Sequence, residues 1–152
     1  MIAIGCKDKN IYIYKTQTKK LISRLTGHKS SVCCMMSHPD FLASGGDVGC
    51  NSLILWDLRT CTIKSRVQSH SAAISGIVDL YDDQSIAISS YDKKITVYNY
   101  RKNEIMFNLS ANRTAVSCLA MDSVGKKLVS SGLDNHLSVW NIIRRNGKVE
   151  SI

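Results

Sequence analysis

Proline is nearly absent from this chain of 152 residues, where Pro39 stands alone. With an apolar fraction of 44%, that scarcity fits a globular chain and argues against a disordered tail. Long apolar runs are missing as well. No stretch approaches the roughly 18 residues that a membrane-spanning helix needs, so no membrane insertion is expected. The opening MIAIGCKDKN lacks a basic leader, and its apolar run is too short for a secretory signal. An intracellular protein, cytoplasmic or nuclear, is the expectation.

Paired cysteine motifs are lacking too. Cys6, Cys33, Cys34, Cys50, Cys61 and Cys118 include no CxxC, and the histidines show no zinc-finger spacing. Cys33, Cys34 and His38 form a loose cluster that fits none of the zinc patterns, so no metal is expected. Free thiols in a reducing compartment are the better reading. The sequence also has no GxSxG elbow, no Gly-rich phosphate loop and no HExxH. Nothing points to an enzyme, and no cofactor is implied.

What the chain does have is positive charge and a repeat. Its 20 Lys+Arg against 12 Asp+Glu give a formal charge of +8, which favours acidic partners in general. Tyr14, Trp56, Tyr98 and Trp140 follow one another at intervals of 42 residues. His28 and His70 keep the same interval, and the next step falls on Asn112. Asp8, Asp92 and Asp134 lie six residues before their aromatics. Two apolar columns agree: Ile11, Leu53, Ile95, Leu137 and Ile13, Leu55, Val97, Val139. In the second unit position 50 is Cys, and the acid comes early, as Asp47.

Each unit reads as short strands. IYIY, LILW, ITVY and LSVW are runs of β-branched, aliphatic and aromatic residues, preceded by turns rich in Gly, Asp, Asn and Lys. With SVCCMM, AISGIVDL and AVSCLAMD, and with LISRL, IKSRV and IMFNL, each repeat supplies about four strands. An all-β chain of four-stranded antiparallel units follows.

The segments LTGHKSSV, LASGGD and LILWDLR resemble the WD-repeat family of β-propellers, in about three and a half repeats. The units fall at 1–27 (partial), 28–69, 70–111 and 112–152 (nearly complete). Propellers close with about four to eight blades, so an interior segment of a larger, open or incomplete propeller is expected. Pairing with further repeats or with a second chain would complete it.

The resemblance implies a buried hydrogen-bond chain in each unit rather than a catalytic triad. The expected members are His28, Ser44, Asp47 and Trp56; His70 and Asp92; and Ser130, Asp134 and Trp140. The implied role is a scaffold for other proteins. Contact positions carried over to the top face are Lys7, Ser31, Cys33, Tyr91 and Leu133, of which Tyr91 and Leu133 look like interface anchors. Turns of the opposite face gather Lys15, Lys19, Lys20, Arg59, Arg101, Lys102, Arg144 and Arg145. That basic lower face suits an acidic segment or RNA. Finally, Trp56-Asp57-Leu58-Arg59 resembles the WDxR box of cullin-4 ubiquitin ligase substrate receptors.

Overall fold

A computed structural model describes residues 1–110 and 113–152. The described residues form sixteen strands and no helix, as the alternating β-formers require. β1 (Ile2–Gly5), β2 (Asn10–Tyr14) and β3 (Leu21–Thr26) make a three-stranded sheet. β4 (Val32–His38), β5 (Phe41–Gly46), β6 (Leu53–Asp57) and β7 (Thr62–Val67) make a four-stranded one, in that order. A second four-stranded sheet follows from β8 (Ile74–Asp79), β9 (Ser85–Ser90), β10 (Ile95–Asn99) and β11 (Glu104–Leu109). β12 (Val116–Met121), β13 (Lys127–Gly132) and β14 (Leu137–Asn141) form the last, three-stranded sheet. β15 (Ile143–Arg145) and β16 (Lys148–Ser151) pair only with each other. Among the described residues all pairings are antiparallel, and no sheet closes into a barrel.

The repeat is written into the backbone itself. Lys9, Asn51, Lys93 and Asn135 take positive φ (76°, 46°, 74° and 62°), one in each turn before the aromatic strand. Lys19, Cys61 and Asn103 do the same at φ 54°, 56° and 58°, just before the outermost strand. The pairing of those strands shifts register between Ile13 and Tyr14, Leu55 and Trp56, and Val97 and Tyr98. All three sets keep the 42-residue spacing.

The final unit departs from the pattern. In the second and third units the fourth strand offers Ile63 and Val67, then Ile105 and Leu109; the next step gives Gly147 and Ser151. With no apolar pair to offer β14, this segment folds instead around Asn146 (φ 53°) and Gly147 (φ 76°) into the β15–β16 hairpin. Two successive positive φ angles are what a two-residue hairpin turn needs, and Asn-Gly supplies them at least cost.

The chain divides into two compact units, Met1–Ile74 and Ser75–Ile152. In the first, Ile11 and Ile13 of β2 bury against Leu42, Ile54 and Trp56, with Ala3, Val32 and Met35 packed alongside. In the second, Ala87, Ile95 and Val97 meet Val116, Leu119 and Leu128. Leu80, Ile142 and Val149 extend that cluster beneath the hairpin. Each such side chain contributes about 1.5–3 kcal/mol when fully buried.

Candidate functional site

The repeated polar residues come together most fully in the second sheet. His28 Nε2 lies 2.7 Å from Ser44 Oγ, and the Trp56 indole N–H donates to the same oxygen at 2.7 Å. Both hydrogen bonds are buried, as are His28, Ser44 and Trp56. They tie the loop before β4 to β5 and β6, and each contributes about 1 kcal/mol net. Ser44 has no exposed surface, so its hydroxyl works as a junction between strands.

The acid expected in this chain is a correction. Asp47 does not face the imidazole: its Oδ1 accepts the Val48 N–H at 2.7 Å, and its own N–H donates to Ser31 O at 2.9 Å. Cys50 takes the place instead, with Sγ 3.3 Å from His28 Nδ1 and accepting the Lys29 N–H at 3.4 Å. The turn preserves positive φ at Asn51, in register with the other repeats. Position 50, on the acid column of the repeat, is thus the one that faces His28.

Electrostatics follow from that burial. Desolvation, helped by the positive charge of Arg66, lowers the His28 pKa from 6.5 to about 4, so the ring is neutral at pH 7. Burial alone would raise the Cys50 thiol; donors from Lys29, Ser52 and Ser30 bring it below its usual value. Cys34 has fewer donors, and burial pushes it up to about 12.

The other units keep parts of the scheme. Trp140 donates to Ser130 Oγ at 3.1 Å in the last sheet, while Asp134 Oδ1 accepts the His136 N–H at 3.2 Å. Asn112 lies outside the described residues. In the third unit His70 is buried, and Asp92 Oδ1 accepts the Lys94 N–H at 3.1 Å. Ser89 Oγ pairs with Ser75 Oγ at 2.9 Å. Ile88 stands in this unit where the register places Ser44 and Ser130 in theirs, and Tyr98 sends its hydroxyl to Asn103 Oδ1. In the first unit Asp8 accepts Tyr12 O–H at 2.7 Å and Asn10 N–H at 3.1 Å. The tyrosine hydroxyl is the main reason its carboxyl sits below the usual range.

Of the top-face positions, Lys7 and Cys33 are exposed, and Ser31 Oγ donates to Lys7 O at 3.5 Å. Tyr91 and Leu133 sit on the β9–β10 and β13–β14 turns, 50% and 66% exposed. Both belong to the second compact unit, and the Leu133 N–H donates to Ala115 O at 3.1 Å, fixing its turn.

The lower-face cations are partly engaged. Lys19, Lys20 and Arg59 are exposed in the first compact unit. In the second, Arg101 donates to Asp83 O, Lys102 lies 3.5 Å from Glu104, and Arg145 lies 3.7 Å from Glu150. Arg144 is half-buried, and its guanidinium donates to the carbonyls of Leu80 and Gly125. Sequence reasoning also missed Asp82, whose carboxylate accepts N–H groups from Gln84, Ser85 and Val149 and so ties the hairpin to the β8–β9 turn. Nothing in the repeat columns signals that residue.

Asp57 Oδ1 accepts the N–H groups of Arg59 (2.7 Å) and Thr60 (3.3 Å), which hold its carboxyl below the usual range. Among the described residues, no three His, Cys, Asp or Glu side chains converge as a metal site would require, and no helix is long and apolar enough to cross a membrane.

Antiparallel sheets repeated at one spacing, with a His–Ser–Trp chain in the second and its Ser–Trp part in the last, define the class: the chain belongs to the WD-repeat family. It matches the family described as WD domain, G-beta repeat over residues 19–57 and 103–141, together just over half its length. Both matches stop at the Trp-Asp or Trp-Asn pair. It is 26% identical to Autophagy-related protein 16 of Arabidopsis thaliana over 90% of this chain and 28% of that protein. Topless-related protein 4 of the same plant is 31% identical over 76% of this chain and 10% of its own length. DDB1- and CUL4-associated factor 13 of Dictyostelium discoideum is 30% identical over 59% of this chain and 20% of its own. The chain thus spans less than a third of these relatives.

Proposed function

We propose that this chain is a non-enzymatic protein-binding scaffold of an intracellular compartment, whose partner seats on Tyr91 and Leu133. The observation that carries the reading is the exposure of these two large side chains on equivalent turns of successive repeats, each two residues before a positive-φ position. An aromatic and a bulky aliphatic held on rigid turns have the character of interface anchors. Six free cysteines suit a reducing compartment. The excess of Lys+Arg over Asp+Glu favours partners with acidic segments, RNA included, through the exposed Lys19, Lys20 and Arg59. Peptides selected for binding from a random display library test the reading. Tyr91→Ser with Leu133→Ser should weaken the selected peptides by at least about tenfold while the thermal midpoint holds. Undiminished binding to that variant would place the partner elsewhere.

A second reading rests on the β6–β7 turn. Asp57 is occupied in capping that turn, which leaves the exposed Arg59 to contact the adaptor of a cullin-4 ligase. The relative named as DDB1- and CUL4-associated supports it. Titration with purified DDB1 should show binding that Arg59→Ala abolishes; no binding by the wild-type chain refutes it.

A further inference from the structure

Positive charge is not shared evenly between the two compact units. Met1–Ile74 carries ten Lys+Arg against four Asp+Glu, whereas Ser75–Ile152 carries ten against eight. Acids of the first unit are also engaged within their own turns. Asp8 accepts from Tyr12 and Asn10, Asp47 from the Val48 N–H, and Asp57 from Arg59 and Thr60 N–H groups. The densest run of cations is KTQTKKLISRLT, from Lys15 to Thr26, with four cations and no acid.

That run is the β2–β3 turn followed by β3. Its backbone closes the turn: the Lys15 N–H donates to Lys20 O at 2.9 Å, and the Lys19 N–H to Lys15 O at 2.8 Å. Lys15, Lys19 and Lys20 are exposed at the foot of the strand. β3 is the outermost strand of its sheet and pairs there with β2 alone. β7 and β11 hold the same place in theirs, so an open outer edge comes with the repeat. Leu21 is 52% exposed, and its counterparts Ile63 and Ile105 are 40% and 43%. Charge sets the three edges apart. On β7, Lys64 stands over the Phe41 ring, 5.6 Å from its centroid, and Arg66 donates to Gly27 O at 2.6 Å. Beside β11, Lys102 pairs with Glu104. On β3, the exposed Leu21 and Ile22 lie between Lys20 and an exposed Arg24, with no acid on the strand.

An open strand edge offers N–H and C=O groups to an added strand, and the side chains along it choose which one. Aliphatics set among cations suit aliphatics set among carboxylates. Single-stranded RNA takes its affinity partly from stacking on aromatic rings. Among the described residues of the first unit, no exposed large apolar side chain is aromatic. A peptide fits this edge better than a nucleic acid.

We propose that the outer edge of β3 takes up an acidic, extended segment of a partner protein as an added strand. Its carboxylates meet Lys19, Lys20 and Arg24, and its aliphatic side chains meet Leu21 and Ile22. This deepens the reading that the exposed lysines attract acidic segments, and it makes no use of Tyr91 or Leu133.

A fluorescent peptide alternating Val with Glu and Asp, titrated against the whole chain, tests the proposal by anisotropy. Saturable binding is expected, weakening as salt is raised, and a peptide of the same length alternating Val with Lys should not bind. Lys19→Glu with Lys20→Glu should weaken the acidic peptide by at least about tenfold at an unchanged thermal midpoint. If that midpoint moves, Lys19→Gln with Lys20→Gln is read instead, and the same direction is expected. Tyr91→Ser with Leu133→Ser should bind this peptide like the wild type, so failure at those turns and failure at β3 are told apart. Hydrogen exchange over β3 should slow on saturation, because an added strand takes up its outward N–H groups. An acidic peptide that does not bind overturns the proposal, as does binding that ignores the lysine changes. So does unchanged exchange over β3 in the saturated complex, which would leave a contact of charge alone. A polyuridine strand that binds through these lysines where the acidic peptide does not would overturn it in favour of nucleic acid.

Discussion

Burial and the neighbouring Arg66 keep His28 neutral, with its pKa lowered from 6.5 to about 4. The unfolded chain therefore takes up a proton on this ring well before the folded chain does. Stability from His28 is complete above about pH 6.5 and is lost as pH falls toward 4, on the order of 3 kcal/mol over the whole window. Asp8, Asp57 and Asp122 have pKa values lowered from 3.8, so their loss comes at more acid pH. Urea unfolding at pH 7 and at pH 4.5 should show the wild type losing stability between the two. His28→Gln should start less stable and lose less; equal losses would mean that another group governs the slope. Cys50 offers a second probe. Carboxylates occupy its column in the other three repeats, and a carboxylate beside Nδ1 favours the imidazolium. Cys50→Asp should therefore raise the His28 pKa, read by NMR titration of the imidazole, and an unmoved titration would place side chain 50 away from the ring.

At the level of strands and turns, the positive-φ residues are the most regular feature of the chain. A left-handed conformation costs an L-residue about 1–2 kcal/mol, and lysine has no side-chain hydrogen bond to its own backbone with which to offset it. Lys93 sits there at φ 74°, at an exposed position. Lys93→Gly should stabilise the protein by roughly 0.5–1 kcal/mol, once the added freedom of glycine in the unfolded chain is subtracted. Chemical denaturation checks it; a destabilised variant would mean that the lysine side chain contributes more than its backbone costs. Strand positions, the 42-residue columns and the buried His28–Ser44–Trp56 chain were all legible, because period and residue type report burial directly. Cys50 was legible in principle, since it stands on the acid column. Asp47 has the expected chemistry but lies three residues off that register, where its carboxylate caps its own turn. The β15–β16 hairpin was announced by Asn146-Gly147, but its competitor, a fourth strand beside β14, failed for want of apolar residues at Gly147 and Ser151. Arg144 looked like surface charge because sequence cannot show a guanidinium turned onto carbonyls distant along the chain.

For the molecule as a whole, uncovered sheet faces bear on stability. Inside each compact unit one aliphatic column is buried against the following sheet, while Leu137, Val139, Ile2 and Ile4 are largely exposed. Whatever covers those faces binds the folded state and not the unfolded one, so it must stabilise the fold by mass action. Leu137→Ser with Val139→Ser should leave the thermal midpoint of this chain nearly unchanged, whereas Val97→Ala, on the covered column, should cost on the order of 2 kcal/mol. Equal losses from the two changes would mean that the exposed column of β14 is packed as firmly as the buried column of β10.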